Sequence, residues 1–231
     1  MEWYIYAFIA SICFSIYYVS LKRNLYKEHT LEYLTLYTLF LFLIILPFYK
    51  NINFNLNSVS YILIFIDALM LSLYFYFLTS AYRHLDVSEL EPLSNSGTLL
   101  IVLISLILFK DILTSVNYIG ILAMLIGVLI LETGLRLNHI KSVAKHLRNK
   151  YFKLLFLAMV CIAISVTLDR IILNPKVLNL GFQAADIFTM QFFTRLFIAI
   201  NFLFIMFAFK KGLKGIKHGL KNAGVRIFLA S

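Results

Sequence analysis

Charged residues, proline, glycine and cysteine are all scarce in this chain of 231 residues. Only 14% of the residues are charged, and the chain contains 9 Gly, 3 Pro and 2 Cys. Because a soluble domain is about a quarter charged, this composition argues against a water-soluble globular protein. It also argues against a disordered chain, a coiled coil and a disulfide-stabilised scaffold, each of which requires a different composition.

Long hydrophobic runs make up most of the sequence, in which 61% of the residues are hydrophobic and 16% are aromatic. A transmembrane helix needs about 20 mostly apolar residues. Seven runs of about this length cover residues 3–22, 31–49, 59–82, 88–109, 112–133, 151–173 and 182–209. The runs lack the turn signals that separate barrel strands, so the sequence predicts an all-α, polytopic bundle of transmembrane helices. We expect a multi-pass integral protein of the cell membrane.

The formal net charge of +10 arises from 21 Lys and Arg against 11 Asp and Glu. The basic residues lie mainly between apolar runs and match no nucleic-acid-binding motif, so we expect no nucleic-acid partner. Basic clusters beside transmembrane helices are typical of contacts with lipid headgroups, and the lipid bilayer is therefore the expected partner. With Arg195 left out because it lies within an apolar run, sixteen Lys and Arg residues lie in the connections after helices one, three, five and seven. Four lie in the connections after helices two, four and six. The positive-inside rule then places the N-terminus outside.

The sequence also contains an internal similarity between its first and sixth apolar runs. When residues 9–25 are aligned with residues 157–173, Cys13 pairs with Cys161 and Lys22 pairs with Arg170. Many transporters consist of two halves of related sequence. Two apolar helices can also resemble each other by chance, and the alignment by itself leaves both explanations open. If the repeat is genuine, it begins again after five helices.

Residues 74–131 carry a more specific pattern. An aromatic-rich end of helix three is followed by a short corner, and helix four then opens with the sequence Glu91-Pro92-Leu93-Ser94. Asp111 follows helix four, and helix five contains Gly120 and Gly127. In order and spacing, these features resemble helices three to five of the EamA-type drug/metabolite transporter superfamily. Two departures are the presence of Ser96-Gly97 where the family usually has proline, and of Asp111 where it usually has glutamate.

The resemblance implies a ten-helix permease built from two inverted five-helix repeats that moves small organic solutes by alternating access. On this basis, residues 1–134 form the first repeat, residues 135–150 a basic linker, and residues 151–231 an incomplete second repeat. Residues 225–231 look like the start of an eighth helix, so we expect a truncated permease, from a fragment or a damaged gene; a natural seven-helix protein is the alternative. Family members usually have the N-terminus inside, in conflict with the charge count.

Polar side chains at membrane depth are the candidates for substrate binding, because each needs a partner or a water-filled cavity. On helix three, Asp67 has Tyr74 two turns further along the same face. Asp67 either couples protons or contacts substrate, or it is a buried carboxylate bonded to a neighbouring helix. Arg195 either binds an anionic group, pairs with Asp67 or extends to the interface. The full candidate set is Asp67, Tyr74, Asn95, Gln191 and Arg195.

Other polar and small residues have structural interpretations. Ser88 and Glu91 have the spacing of a helix-capping box, which favours a cap for Glu91 over a cavity role. Four charged residues near helix ends are expected at the membrane interface: Glu132, Asp169, Arg170 and Asp186. Gly120, Ala123 and Gly127 form a stripe of small residues that predicts close packing against another helix.

The motifs of other function classes are missing from the sequence. No HExxH, GxSxG or Asp-rich diphosphate-binding motif is present, so we expect no enzyme, and nothing indicates a cofactor or a metal site. The alternative to a transporter is a seven-helix receptor-like or non-transporting membrane protein, although residues 182–209 contain no Lys for a retinal Schiff base. The substrate, the transport direction, the coupling ion and assembly into a homo-oligomer stay open.

Overall fold

The computed structural model describes residues 3–25, 29–85, 87–110, 114–133, 150–178 and 181–208. Within these ranges the regular elements are seven α-helices and two short 3-10 helices, without a strand. The α-helices are α1 (Trp3–Leu25), α2 (Thr30–Ile45), α3 (Ser58–His84), α4 (Val87–Phe109), α5 (Ser115–Thr133), α6 (Lys150–Leu173) and α7 (Ile187–Ala208).

Five of the helical segments are long and apolar enough to cross a membrane. They are Tyr4–Lys22, Thr30–Lys50, Ser58–His84, Lys150–Leu173 and Ile187–Ala208. The apolar parts of α4 and α5 are shorter, Gly97–Phe109 and Ser115–Gly127. The first ten residues of α4 are largely polar, which explains why its apolar segment is short. The all-α transmembrane bundle expected from the sequence is confirmed, with a helix at each of the seven apolar runs.

Local signals set the helix ends. Pro47 lacks a backbone N–H, and the chain changes there from α2 to a 3-10 helix, Leu46–Asn51. The last helix begins at Ile187, five residues later than its apolar run suggests. The cause is Asp186, whose Oδ2 accepts a hydrogen bond from the Phe188 N–H at 3.0 Å and so caps α7. Asp186 is exposed, as expected for an interfacial residue.

Helix α3 is the centre of the bundle. It packs most extensively against α6 and also against α7 and α2, while α2 packs against α7, and α4 against α6. The largest core side chains with almost no exposure are Tyr33, Tyr82 and Phe202, contributed by α2, α3 and α7. By contrast, residues 4–16 of α1 are exposed, so this helix is held mainly through its last two turns.

The glycine that allows two helices to pack closely is Gly97, which is not part of the predicted stripe of small residues. A Cβ atom at Gly97 would lie 3.1 Å from Cγ and 3.3 Å from Cβ of Met159, so glycine permits close approach of α4 and α6. A Cβ atom at Gly120 or Gly127 would meet nothing within 4 Å. The prediction that this stripe packs closely against another helix is therefore wrong for the described residues.

Several sequence predictions lie outside the described residues. They concern the basic linker up to residue 149, the C-terminal residues 225–231, and Asp111. Glu91, Asn95 and Glu132 lie in described helices, but their side chains are not described. The division into repeats and the inverted relation between them stay predictions.

Candidate substrate cavity and buried charge cluster

Three helix ends meet on one side of the bundle. The start of α3 is joined to the segment before α7 by the Ser60 hydroxyl, which donates to the Gln183 carbonyl at 3.2 Å. The end of α6 is joined to the same segment by the Ala185 N–H, which donates to the Ile172 carbonyl at 3.1 Å. With a rise of about 1.5 Å per residue, a residue nine positions after the start of α3 and one eight positions after the start of α7 therefore lie at similar depth, about 12–14 Å from this end.

Asp67 occupies that depth on α3 and is completely buried, with 0% of its surface exposed. The Ser165 hydroxyl of α6 donates a hydrogen bond to Asp67 Oδ1 at 2.5 Å. The Thr194 hydroxyl of α7 donates to Asp67 Oδ2 at 3.3 Å. Both donors are themselves buried. A carboxyl group at bilayer depth is costly without partners, and two neighbouring helices supply them here.

Asp169 of α6 joins this group, and its carboxyl group is in hydrogen-bonding contact with that of Asp67. The Oδ1 atom of Asp169 is buried and has no hydrogen-bond partner. The expectation that Asp169 is an ordinary interfacial residue is therefore wrong. It follows Ser165 by one helical turn, so both face α3, and helix packing rather than proximity to the helix end decides its surroundings.

Arg195 of α7 balances the charge of this group. Its guanidinium interacts electrostatically with Asp67 and with Asp169. It makes no direct salt bridge to either one in the described part of the chain, and it also attracts the Tyr37 hydroxyl of α2. We call Asp67, Asp169 and Arg195 the charge cluster.

A cavity of about 700 Å³ lies beside the charge cluster, between α1, α2, α3, α6 and α7. Arg195 is the one charged side chain among its described lining residues. Leu71 also lines it, one helical turn from Asp67 on the same face of α3. The charge cluster is therefore connected to the cavity through Arg195, while the Asp67 carboxyl group is enclosed behind the lining. We call this space the main cavity.

Tyrosines form much of the polar lining of the main cavity. Tyr17, Tyr18, Tyr37 and Tyr74 all line it. The side chains of Tyr17 and Tyr37 are hydrogen-bonded to each other, and their rings are 5.6 Å apart. Tyr74 contacts Phe75, with ring centroids 5.4 Å apart. The lining thus offers aromatic faces, hydroxyl groups and one cationic group.

A smaller cavity of about 130 Å³ adjoins the main one, since Tyr18, Tyr74, Leu78 and Ile162 line both. Its wall includes Ser94, Gly97 and Thr98 of α4. Ser94 and Thr98 lie one helical turn apart and give this wall two hydroxyl groups.

The structure brings together some of the five sequence candidates. Tyr74 and Arg195 line the main cavity. Asp67 lies behind the lining, as part of the charge cluster. Gln191 is half-buried and lines neither the main nor the smaller cavity among the described residues. Asn95 lies in α4, but its side chain is not described.

Sequence reasoning missed Asp169, Tyr17 and Tyr37. Counting depth from the shared end of α3, α6 and α7 places Asp169 about 6 Å from the end of α6, which is shallower than Asp67, so depth along the helices does not predict the contact between the two carboxyl groups. For the two tyrosines the sequence carries no signal either, because tyrosine is common throughout the chain.

Among the residues that the structure describes, no three His, Cys, Asp or Glu side chains are grouped so that they could hold a metal ion. The described lining of the main cavity offers hydrogen-bonding groups, one positive charge and aromatic surface.

The long apolar helices and the partly open cavity of mixed polarity are typical of a helical integral membrane protein with a site for a small molecule between its helices. Residues 1–133 match the model of the EamA-like transporter family, which is more than half of the chain. The chain therefore belongs to this family and is a membrane transporter of the drug/metabolite type. The comparisons with curated proteins and with solved structures give no match.

Proposed function

We propose that the protein is a secondary transporter of the cell membrane, which moves a small organic metabolite by alternating access and binds it in the main cavity. The observation that carries this proposal is the cavity itself. Its volume of about 700 Å³ lies within the range of about 300–1,000 Å³ that is typical of small-molecule sites. Its mainly apolar wall with a few polar groups is also typical of such sites.

The location of the main cavity supports the same proposal. Helices α1, α2 and α3 belong to the first predicted repeat, whereas α6 and α7 belong to the second. Transporters built from repeats bind substrate near the bilayer midplane, where the repeats meet. The lining residues Tyr17 and Arg195 come from different repeats, so relative motion of the repeats would change the shape and access of the cavity.

The experiment is uptake into liposomes that contain the purified full chain. The liposomes are placed in an aqueous small-molecule extract of cells, and the solutes that enter are identified by mass spectrometry. We expect a restricted set of solutes to enter faster than into protein-free liposomes. Leu71→Trp places a large side chain into the main cavity and should abolish this uptake.

Ile62→Trp is the matched control, because Ile62 is on the same helix but exposed and lines no described cavity. It should transport like the unmodified protein. Equal solute uptake by Leu71→Trp and the unmodified protein would contradict the assignment of the site. An absence of protein-dependent uptake of any solute would contradict transport itself.

A further inference from the structure

We propose that the substrate is an organic anion with a planar body, that Arg195 is its counter-charge, and that it moves together with a proton held by Asp67 and Asp169. This inference rests on the proposed transport function and assigns the substrate class and the coupling ion of the main cavity. It combines three observations: the lining of the cavity, the position of Arg195 and the contact between the two carboxyl groups.

The lining selects the class of molecule. Arg195 is the one charged group among the described lining residues, and guanidinium groups bind carboxylate, sulfonate and phosphate with good geometry. Tyr17, Tyr37, Tyr74 and Phe75 provide aromatic faces against which a flat apolar body can pack. An anionic head with a planar body therefore fits the cavity better than a sugar or a cation.

The charge cluster already contains two acids that compete for Arg195. If Asp67 and Asp169 were both ionised, the cluster would carry one net negative charge and would repel an organic anion. Two carboxylates also cannot form a hydrogen bond with each other, because neither has a proton to donate. With one proton shared between the two interacting carboxyl groups, the empty site is neutral, with one carboxylate opposite Arg195.

The balance of charges then couples the anion to a second proton. When an anion binds at Arg195, the substrate replaces the carboxylate as the counter-charge of the guanidinium group. Protonation of that carboxylate then keeps the site neutral. The unpartnered Oδ1 atom of Asp169 is an acceptor available for that proton. One anion and one proton thus bind together and leave together, and the net charge of the site does not change during the cycle.

The groups that surround Asp67 are compatible with this assignment. From α6 it faces Asp169 and Ser165, and from α7 it faces Arg195 and Thr194. On α2, the Tyr37 hydroxyl interacts with Arg195 and is hydrogen-bonded to Tyr17 of α1. Asp67 and Asp169 are therefore the carboxyl groups of this region among the described residues, whereas tyrosine ionises only at alkaline pH.

The test uses the same liposomes with an imposed pH gradient, acidic outside. Three probes that differ in charge are added to the extract: benzenesulfonate, benzenesulfonamide and benzyltrimethylammonium. The sulfonate stays ionised, so it cannot cross the bilayer as a neutral acid. We expect benzenesulfonate and anions of the extract to accumulate up to about tenfold per pH unit, because one proton per anion supplies about 1.4 kcal/mol per unit. Accumulation should reverse with the gradient.

The possible outcomes separate this inference from the proposed function. Uptake that is blocked by Leu71→Trp but concerns neutral or cationic solutes, or does not respond to the gradient, overturns the inference and leaves transport intact. The absence of any protein-dependent uptake overturns the proposed function as well. In the unmodified protein, entry of benzenesulfonate should also consume one external proton per anion, as measured with a pH-sensitive dye.

Variants assign the roles within the charge cluster. The double variant Asp67→Asn/Asp169→Asn keeps the size of both side chains but has no carboxyl proton to exchange, so anion exchange should continue while the pH gradient no longer drives accumulation. Arg195→Gln should abolish anion exchange altogether. Asp186→Asn removes an exposed acid that is remote from the cavity lining and should leave both measurements unchanged.

Gradient-driven accumulation that survives in the double variant would overturn the role of the acid pair. Asp169→Asn alone leaves Asp67 as one titratable acid opposite Arg195 and should retain coupling, which distinguishes proton transfer from a purely structural effect. Loss of coupling in this single variant at unchanged thermal stability would also contradict the proposal.

Discussion

The ammonium group of Lys22, near the end of α1, donates hydrogen bonds to two carbonyl oxygens at the end of α3, those of Tyr82 at 2.7 Å and Leu85 at 2.5 Å. The last carbonyl groups of a helix have no partner within the helix and carry a partial negative charge. Lys22 therefore caps α3 and attaches α1 to the bundle at the end where α1 is buried.

We predict that Lys22→Met destabilises the protein by about 1.5–3 kcal/mol, the usual contribution of hydrogen bonds that involve a charged group. Thermal unfolding of the detergent-solubilised protein measures the effect. Lys153→Met removes an exposed lysine of α6 and serves as the control, since it should change the stability little. Equal stability of the two variants would show that the cap contributes nothing.

The hydroxyl groups that hold Asp67 should also contribute to stability. Ser165→Ala and Thr194→Val each remove a donor from a buried carboxyl group, and we expect a loss of about 1–3 kcal/mol for each. Thr167→Val is the matched control, because the buried Thr167 hydroxyl donates only to the Ala163 carbonyl of its own helix. If Thr167→Val proved as destabilising as the other two, the hydroxyl contacts to Asp67 would not be the cause.

Close packing of α4 on α6 predicts different effects of alanine at two glycines. Alanine favours a helix over glycine at both positions. At Gly97 the new Cβ atom would press against Met159, whereas at Gly120 it would meet nothing. We expect Gly97→Ala to be less stable than Gly120→Ala by about 1 kcal/mol, the lower end of the cost of overpacking. Thermal unfolding of the two variants compares them directly, and a more stable Gly97→Ala would rule out this contact.

The two cysteines provide a test of access to the main cavity. Cys13 is exposed and lines the cavity, whereas Cys161 of α6 is buried. A charged, water-soluble thiol reagent should therefore modify the variant Cys161→Ser, in which Cys13 is the remaining cysteine. The variant Cys13→Ser retains only the buried Cys161 and should stay nearly unmodified. Mass spectrometry of the intact protein measures the extent of modification. No modification of Cys13 would mean that water does not reach the cavity in this state.

The proposed alternating access extends this prediction to sealed vesicles. A membrane-impermeant reagent should reach Cys13 from one side of the membrane in one state and from the other side in another. A transported solute should change the ratio of the two rates. Access that stays on one side under all conditions would contradict alternating access.

The sequence by itself determined that this protein is a bundle of transmembrane helices. Hydrocarbon cannot satisfy backbone hydrogen bonds, so an apolar run of sufficient length must form a helix wherever it crosses the membrane. The apolar runs accordingly predicted the seven α-helices of the described ranges, and the order and motifs of the runs indicated the transporter family. The sequence also placed Asp67 and Arg195 deep within helices, where each requires a partner.

Only the tertiary structure decided which helix faces meet. Hydropathy gives the depth of a residue along its helix but not its rotation toward a neighbour, which depends on packing against other side chains. For this reason Asp169 was expected at the interface but lies against Asp67, and Gly97 rather than Gly120 is the site of close helix contact. The main cavity likewise exists because α1, α2, α3, α6 and α7 converge around Arg195, and that convergence joins residues far apart in the sequence.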